Sequence, residues 1–150
     1  VEIVKHAAEK AGRDPDSVRV WSCFATVGDH LPEELRLKKT VARLATYLQG
    51  YGDLLVKTNG WDPRVLQRFR QDSVVNSIPG GIDHKATAEQ IEHIATLIPD
   101  EWLEPSATGS SQQCVDRIRK EFDYGADAVI MHGATPDELE PIVTAYRSRA

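Results

Sequence analysis

The sequence predicts an α/β fold in which a parallel sheet is covered by helices. Three observations predict it. Residues 18–27 read Val-Arg-Val-Trp-Ser-Cys-Phe-Ala-Thr-Val, β-branched, aromatic and nearly all apolar, as in a strand covered on both faces. Residues 126–132, Ala-Asp-Ala-Val-Ile-Met-His, repeat that character near the end of the chain. Between residues 102 and 149 the pattern alternates strand, helix, strand, helix with short connections, and such alternation requires parallel neighbours joined by right-handed crossovers. The pattern leaves two architectures open: the late portion of a β/α barrel, or a doubly wound open sheet.

The elements follow in order. Residues 1–11 form a helical pattern, with Ile3, Val4, Ala7, Ala8 and Ala11 on one face and Gly12 as its stop. No N-cap residue precedes it, so we expect an upstream portion that this chain lacks. A turn-rich link, Arg13-Asp14-Pro15-Asp16-Ser17, leads into the strand at 18–27. Residues 32–100 read as a helical insertion within one partial domain, with no strand of its own. Pro32 opens its first helix, Glu33 and Glu34 complement the helix dipole, and Leu37, Val41, Leu44, Ala45 and Leu48 form a stripe that Gly50 and Gly52 are expected to end. Asp62-Pro63 caps a short helix over 65–70, Ser77-Ile78-Pro79-Gly80-Gly81 is a loop, and Thr87-Ala88-Glu89-Gln90 is a capping box for a helix to Ile98. From Trp102 to Thr108 we expect a strand. Ser110-Ser111-Gln112-Gln113 is a second capping box, and Cys114, Val115, Ile118 and Phe122 make the stripe of its helix. After the strand at 126–132, Thr135 caps a last helix with Pro136 at its first position, and Leu139, Ile142, Val143 and Tyr146 face inward.

Composition narrows the function classes. With 150 residues the chain suits one domain. A net charge of -5 argues against nucleic acid, which needs a basic face. No apolar run reaches the roughly 20 residues of a membrane span. No signal peptide is visible, and the two cysteines, Cys23 and Cys114, form neither a disulfide framework nor a metal-ligand pattern. A cytoplasmic protein without a metal site is the expectation.

Four segments, in order, carry a resemblance. Gly12-Arg13-Asp14-Pro15-Asp16-Ser17-Val18 looks like the link into a late barrel strand of luciferase-like monooxygenases. Thr108-Gly109-Ser110, followed by Cys114-Val115-Asp116-Arg117-Ile118, is similar to their small-Gly-Ser turn and the helix after it. Phe122-Asp123-Tyr124-Gly125-Ala126-Asp127 through Ile130-Met131-His132-Gly133 resembles their final helix-to-strand link and last strand. Asn59-Gly60-Trp61-Asp62-Pro63 resembles a branch of actinobacterial relatives that use the deazaflavin coenzyme F420. The resemblance implies the late portion of a TIM-type (β/α)8 barrel, an architecture that averages about 250 residues in general. It implies hydride transfer to, or monooxygenation of, a small organic substrate, with coenzyme F420 or alternatively FMN in a full-length parent. The family's catalytic and coenzyme-phosphate positions lie mostly in earlier strands, so the chain alone is expected to be inactive and to need the missing barrel half or self-association. A flavodoxin-like open sheet is the structural alternative, and a non-catalytic binding or assembly module is the functional one.

In barrels the chemistry sits at the carboxyl ends of the strands. His132 and Gly133 stand at one such end, where an imidazole could donate to a coenzyme or substrate carbonyl or act as a general acid. The plainer reading is a histidine bonded to a loop carbonyl. Thr108 and Gly109 precede a helix N-terminus and could take an anion, although the cap explains the same residues. Asn59 and Trp61 lie in the insertion, where Trp61 could wall an apolar pocket or pack the insertion. Trp21, Cys23 and Cys114 read as core, and His84 and His93 as surface.

Overall fold

The computed structural model describes residues 1–148; the expected last helix reached residue 149, which lies outside them. The chain divides into two compact units, one of Val1–Gly28 with the chain from Ala107 onward, the other of Asp29–Ser106.

The first unit holds a three-stranded parallel sheet of β1 (Trp21–Gly28), β2 (Ala107–Gly109) and β3 (Ala128–His132), in the order β2-β1-β3. Five residues of β3 pair with β1 from Trp21↔Ala128 to Ala25↔His132, and three of β2 from Thr26↔Ala107 to Gly28↔Gly109. Consecutive strands of a β/α barrel lie side by side in chain order, which would put β2 in the middle. The sheet instead has the order of a doubly wound sheet, so the open-sheet alternative describes these strands better than the barrel does. The reason is length. A middle strand must offer two bonded edges, and β1 has eight residues whereas β2 has three. The strand expected from Trp102 shortens because Asp100–Trp102 turns as a 3-10 helix, which takes the indole into the other unit's core.

Register sorts the sheet's side chains. Phe24, Ala107, Val129 and Met131 pack against α8 (Ser111–Asp123) and α9 (Pro136–Arg147), with Cys114, Val115, Ile118 and Ile142 buried between. Ser110–Gln113 forms the expected capping box of α8, and Thr135 caps α9 with Pro136 in its first turn. The opposite face carries Trp21, Cys23 and Ile130, and here the expectation of a strand covered on both faces fails. Trp21 is 59% and Ile130 42% exposed, and Cys23 is exposed. Only Val27, at the carboxyl end of that row, is buried. The leading helix α1 (Glu2–Lys10) likewise buries Ala8 but leaves Ile3 86% exposed.

The second unit is helical, and none of its described residues is in a strand. It comprises α2 (Glu33–Leu37), α3 (Arg43–Asn59), α4 (Pro63–Gln71), α5 (Ser73–Ser77), α6 (Ile82–Lys85) and α7 (Ala88–Ala95), with a π-helical stretch at Lys38–Ala42. Leu48, Phe69, Ile82 and Ile94 anchor its core. Gly50 and Gly52 do not end the helix, as expected from sequence; α3 bends at Tyr51 and runs on to Asn59. Gly52 is buried against α4, where a Cβ would stand 2.6 Å from Leu66 Cδ1. It serves close helix packing rather than termination, and Gly60, with φ +67, is the left-handed stop. Asp83 is buried, where it accepts from Thr46 Oγ1 at 3.0 Å and lies 3.0 Å from Arg43 Nε, so its charge is compensated.

Candidate functional site

The carboxyl ends of the three strands bring four of the six candidate residues into one region. His132 ends β3 and lies beside Ala25 across the β1–β3 ladder, half-buried. Thr108 lies beside Val27 across the β1–β2 ladder and is exposed. Ala25 and Val27 share one row of β1, so His132 and Thr108 flank β1 on the same face. Their glycines form the rim. Gly133 has φ +78, and a Cβ there would meet no atom within 4 Å, so the backbone borders open space. Gly109, at φ +98, pairs with Gly28.

Gly109 also has a local duty. The Gln113 carboxamide folds back to accept from Ser110 N at 2.8 Å, and Ser110 Oγ accepts from Gln113 N at 3.3 Å. A Cβ on Gly109 would collide with that carboxamide. The capping box therefore accounts for Gly109 without a ligand. The last helix has its own box, in which Glu138 Oε2 accepts from Thr135 N at 2.7 Å, and its first turn carries Asp137 and Glu138. That acidity opposes an anion at α9, whereas the first turn of α8 holds no carboxylate.

Asn59 and Trp61 belong to the helical unit and have work there. Asn59 Nδ2 donates to Leu55 O at 2.8 Å, tying up the end of α3. Trp61 stacks on Trp102, ring centroids 4.4 Å apart and planes 8° from parallel, against the helical core. Sequence reasoning passed over Thr26, one residue before Val27. Its side chain is 1% exposed, and its Oγ1 has no hydrogen-bond partner among the described residues. A hydroxyl among the apolar residues at the carboxyl end of the strand was the available signal.

At the opposite, amino end of the sheet the polar groups are paired. Asp127 Oδ2 accepts from Val20 N at 2.7 Å, and Asp127 N donates to Val20 O at 2.8 Å. Glu121 accepts from Ser22 Oγ at 2.6 Å and from Arg117, whose guanidinium also covers the Phe24 ring. Burial pushes the Glu121 carboxyl up, but these hydrogen bonds outweigh it and hold it below the usual range. That end reads as structural, whereas at the end with His132 the backbone of Gly133 borders open space.

Among the described residues no group of three or more His, Cys, Asp or Glu is placed to hold a metal ion, and no helix is long and apolar enough to cross a membrane. Neither cysteine is in a disulfide; Cys114 is buried, with its Sγ 3.5 Å from Ala107 O, and Cys23 is exposed. Comparison with known proteins returns no match among family models, curated proteins or solved structures, so the residues themselves carry the functional reading.

Proposed function

We propose that this chain is the C-terminal part of a luciferase-like oxidoreductase that uses coenzyme F420, or alternatively FMN, to oxidise, reduce or oxygenate a small organic substrate in its full-length parent. The observation that carries the reading is the gathering of His132, Gly133, Thr108 and Gly109 at the carboxyl ends of parallel strands. A barrel binds its ligands there, and so does a doubly wound sheet, which holds flavin where the strand order reverses. The coenzyme site is thus common to both architectures, although the β2-β1-β3 order suits the second better. The bound coenzyme would supply the redox chemistry. His132 would hydrogen-bond a carbonyl of coenzyme or substrate, and the glycine rim would let a flat ring approach the backbone. Titration of the parent with F420 and with FMN tests this: saturable binding of one, weakened at least tenfold by His132→Ala, is expected. Binding of neither would sink the reading.

A second reading, an assembly module, is favoured by the bare sheet face. Trp21 and Ile130 stand on it at 59% and 42% exposure, and large apolar groups left open in this way mark interaction sites. Sedimentation of the chain at rising concentration separates the two readings, since a persistent monomer counts against assembly.

A further inference from the structure

A cavity of about 230 Å³ lies between α8, α9 and β3, on the face of β3 opposite His132 and toward the C-terminal ends of the two helices. Its walls are apolar, formed chiefly by Phe122, Met131, Ile142 and Val143. Among the described residues no carboxylate lines it. Among the described residues its one charged lining group is Arg147, in the last turn of α9, which has no hydrogen bond or ion pair with any of them. A second guanidinium stands near, since Arg119 lies over the ring of the lining residue Tyr146 at 5.4 Å.

An apolar chamber with a cationic rim selects for a molecule with an apolar body and one negative end. A neutral hydrocarbon would leave the guanidinium without a partner, and a polar anion would leave the walls wet. The C-terminal carbonyls of α9 oppose an anion, so recognition falls to Arg147. The volume is below the usual range for drug-sized ligands, about 300 Å³ and above, which limits the guest to a short aliphatic or aryl chain. We propose that this cavity binds a small amphipathic carboxylate, its tail against Met131 and Ile142 and its head on Arg147. The site is separate from the strand ends and does not depend on the coenzyme reading.

The chain holds one methionine, Met131, so a labelled methyl group reports this cavity alone. Octanoate added to methyl-labelled protein is expected to shift that NMR resonance saturably. Arg147→Gln should weaken octanoate at least tenfold while leaving octan-1-ol unaffected, and Arg147→Lys should restore part of the affinity. Val143→Trp should fill the chamber and abolish both responses, with circular dichroism checking that the fold survives. The proposal is overturned by an octanoate response that does not saturate, by affinity unchanged in Arg147→Gln, or by octan-1-ol binding as tightly as octanoate. A Met131 shift that follows protein concentration without any ligand also overturns it, because a second copy then occupies the groove.

Discussion

The two units solve the burial problem differently. The helical unit closes on itself: residues from α3, α4, α5, α6 and α7 converge on one cluster, with Leu48, Ile82 and Ile94 wholly inaccessible. The sheet unit closes on one side only. Its helices cover the Phe24 and Met131 face, and the Trp21 and Ile130 face stays open, with two sheet edges besides. Helices satisfy their backbone groups internally and need only a stripe covered, whereas a parallel sheet needs cover on both faces. Stability should therefore be concentrated in the helical unit, and the capacity to take a partner or ligand in the sheet.

Substitutions sharpen or break that contrast. The largest loss is expected for Phe69→Ala in the helical core, about 3–5 kcal/mol by denaturant unfolding. A loss under about 1 kcal/mol would mean that the core is looser than its burial indicates. Next comes Gly52→Val, which forces a branched side chain against the buried Leu66 and should cost about 1–3 kcal/mol. An unchanged or raised stability would show that Leu66 can move aside.

Smaller is the effect of the Asp72–His93 pair, which ties the cap of α5 to α7 at 3.0 Å. The hydrogen bond from His93, more than the capped Val75 and Val74 amides, holds the Asp72 carboxyl below its usual range. A depressed carboxylate adds stability that is present above its unfolded-state value and is lost as pH falls through its folded one. His93→Ala should raise the Asp72 titration point, read from its carboxyl carbon by NMR, and move the acid-unfolding limb to higher pH. Smallest in stability is Trp21→Thr with Ile130→Thr on the bare face: about 0.5 kcal/mol or less, with a clear fall in self-association by sedimentation. A large destabilisation there would show that the face is covered in solution.

What could be read from sequence follows the range of the interactions. The capping boxes at Thr87–Gln90 and Ser110–Gln113 and the cap at Thr135 were legible because each is complete within four residues. Gly52 was misread because its meaning lies in Leu66, on another helix. Trp21 was misread because whether an apolar strand is covered depends on elements distant in the chain. The order β2-β1-β3 is non-local as well; no residue announces which strand takes the middle. At the candidate site, a strand-end His132 could be placed from pattern, and the register then put Thr108 on the same face. Asn59 and Trp61 have their partners within the helical unit, at the end of α3 and in the Trp102 stack.

The register of β1 with β2 has a consequence for how this chain can be re-engineered. The helical unit leaves the sheet after Gly28 and returns at Ala107, which lies beside Thr26. Two residues of rise and one strand spacing separate those points, about 8 Å. The intervening segment is thus a cassette hung on a narrow gap, replaceable by a loop of a few residues or by a foreign domain whose termini are close together.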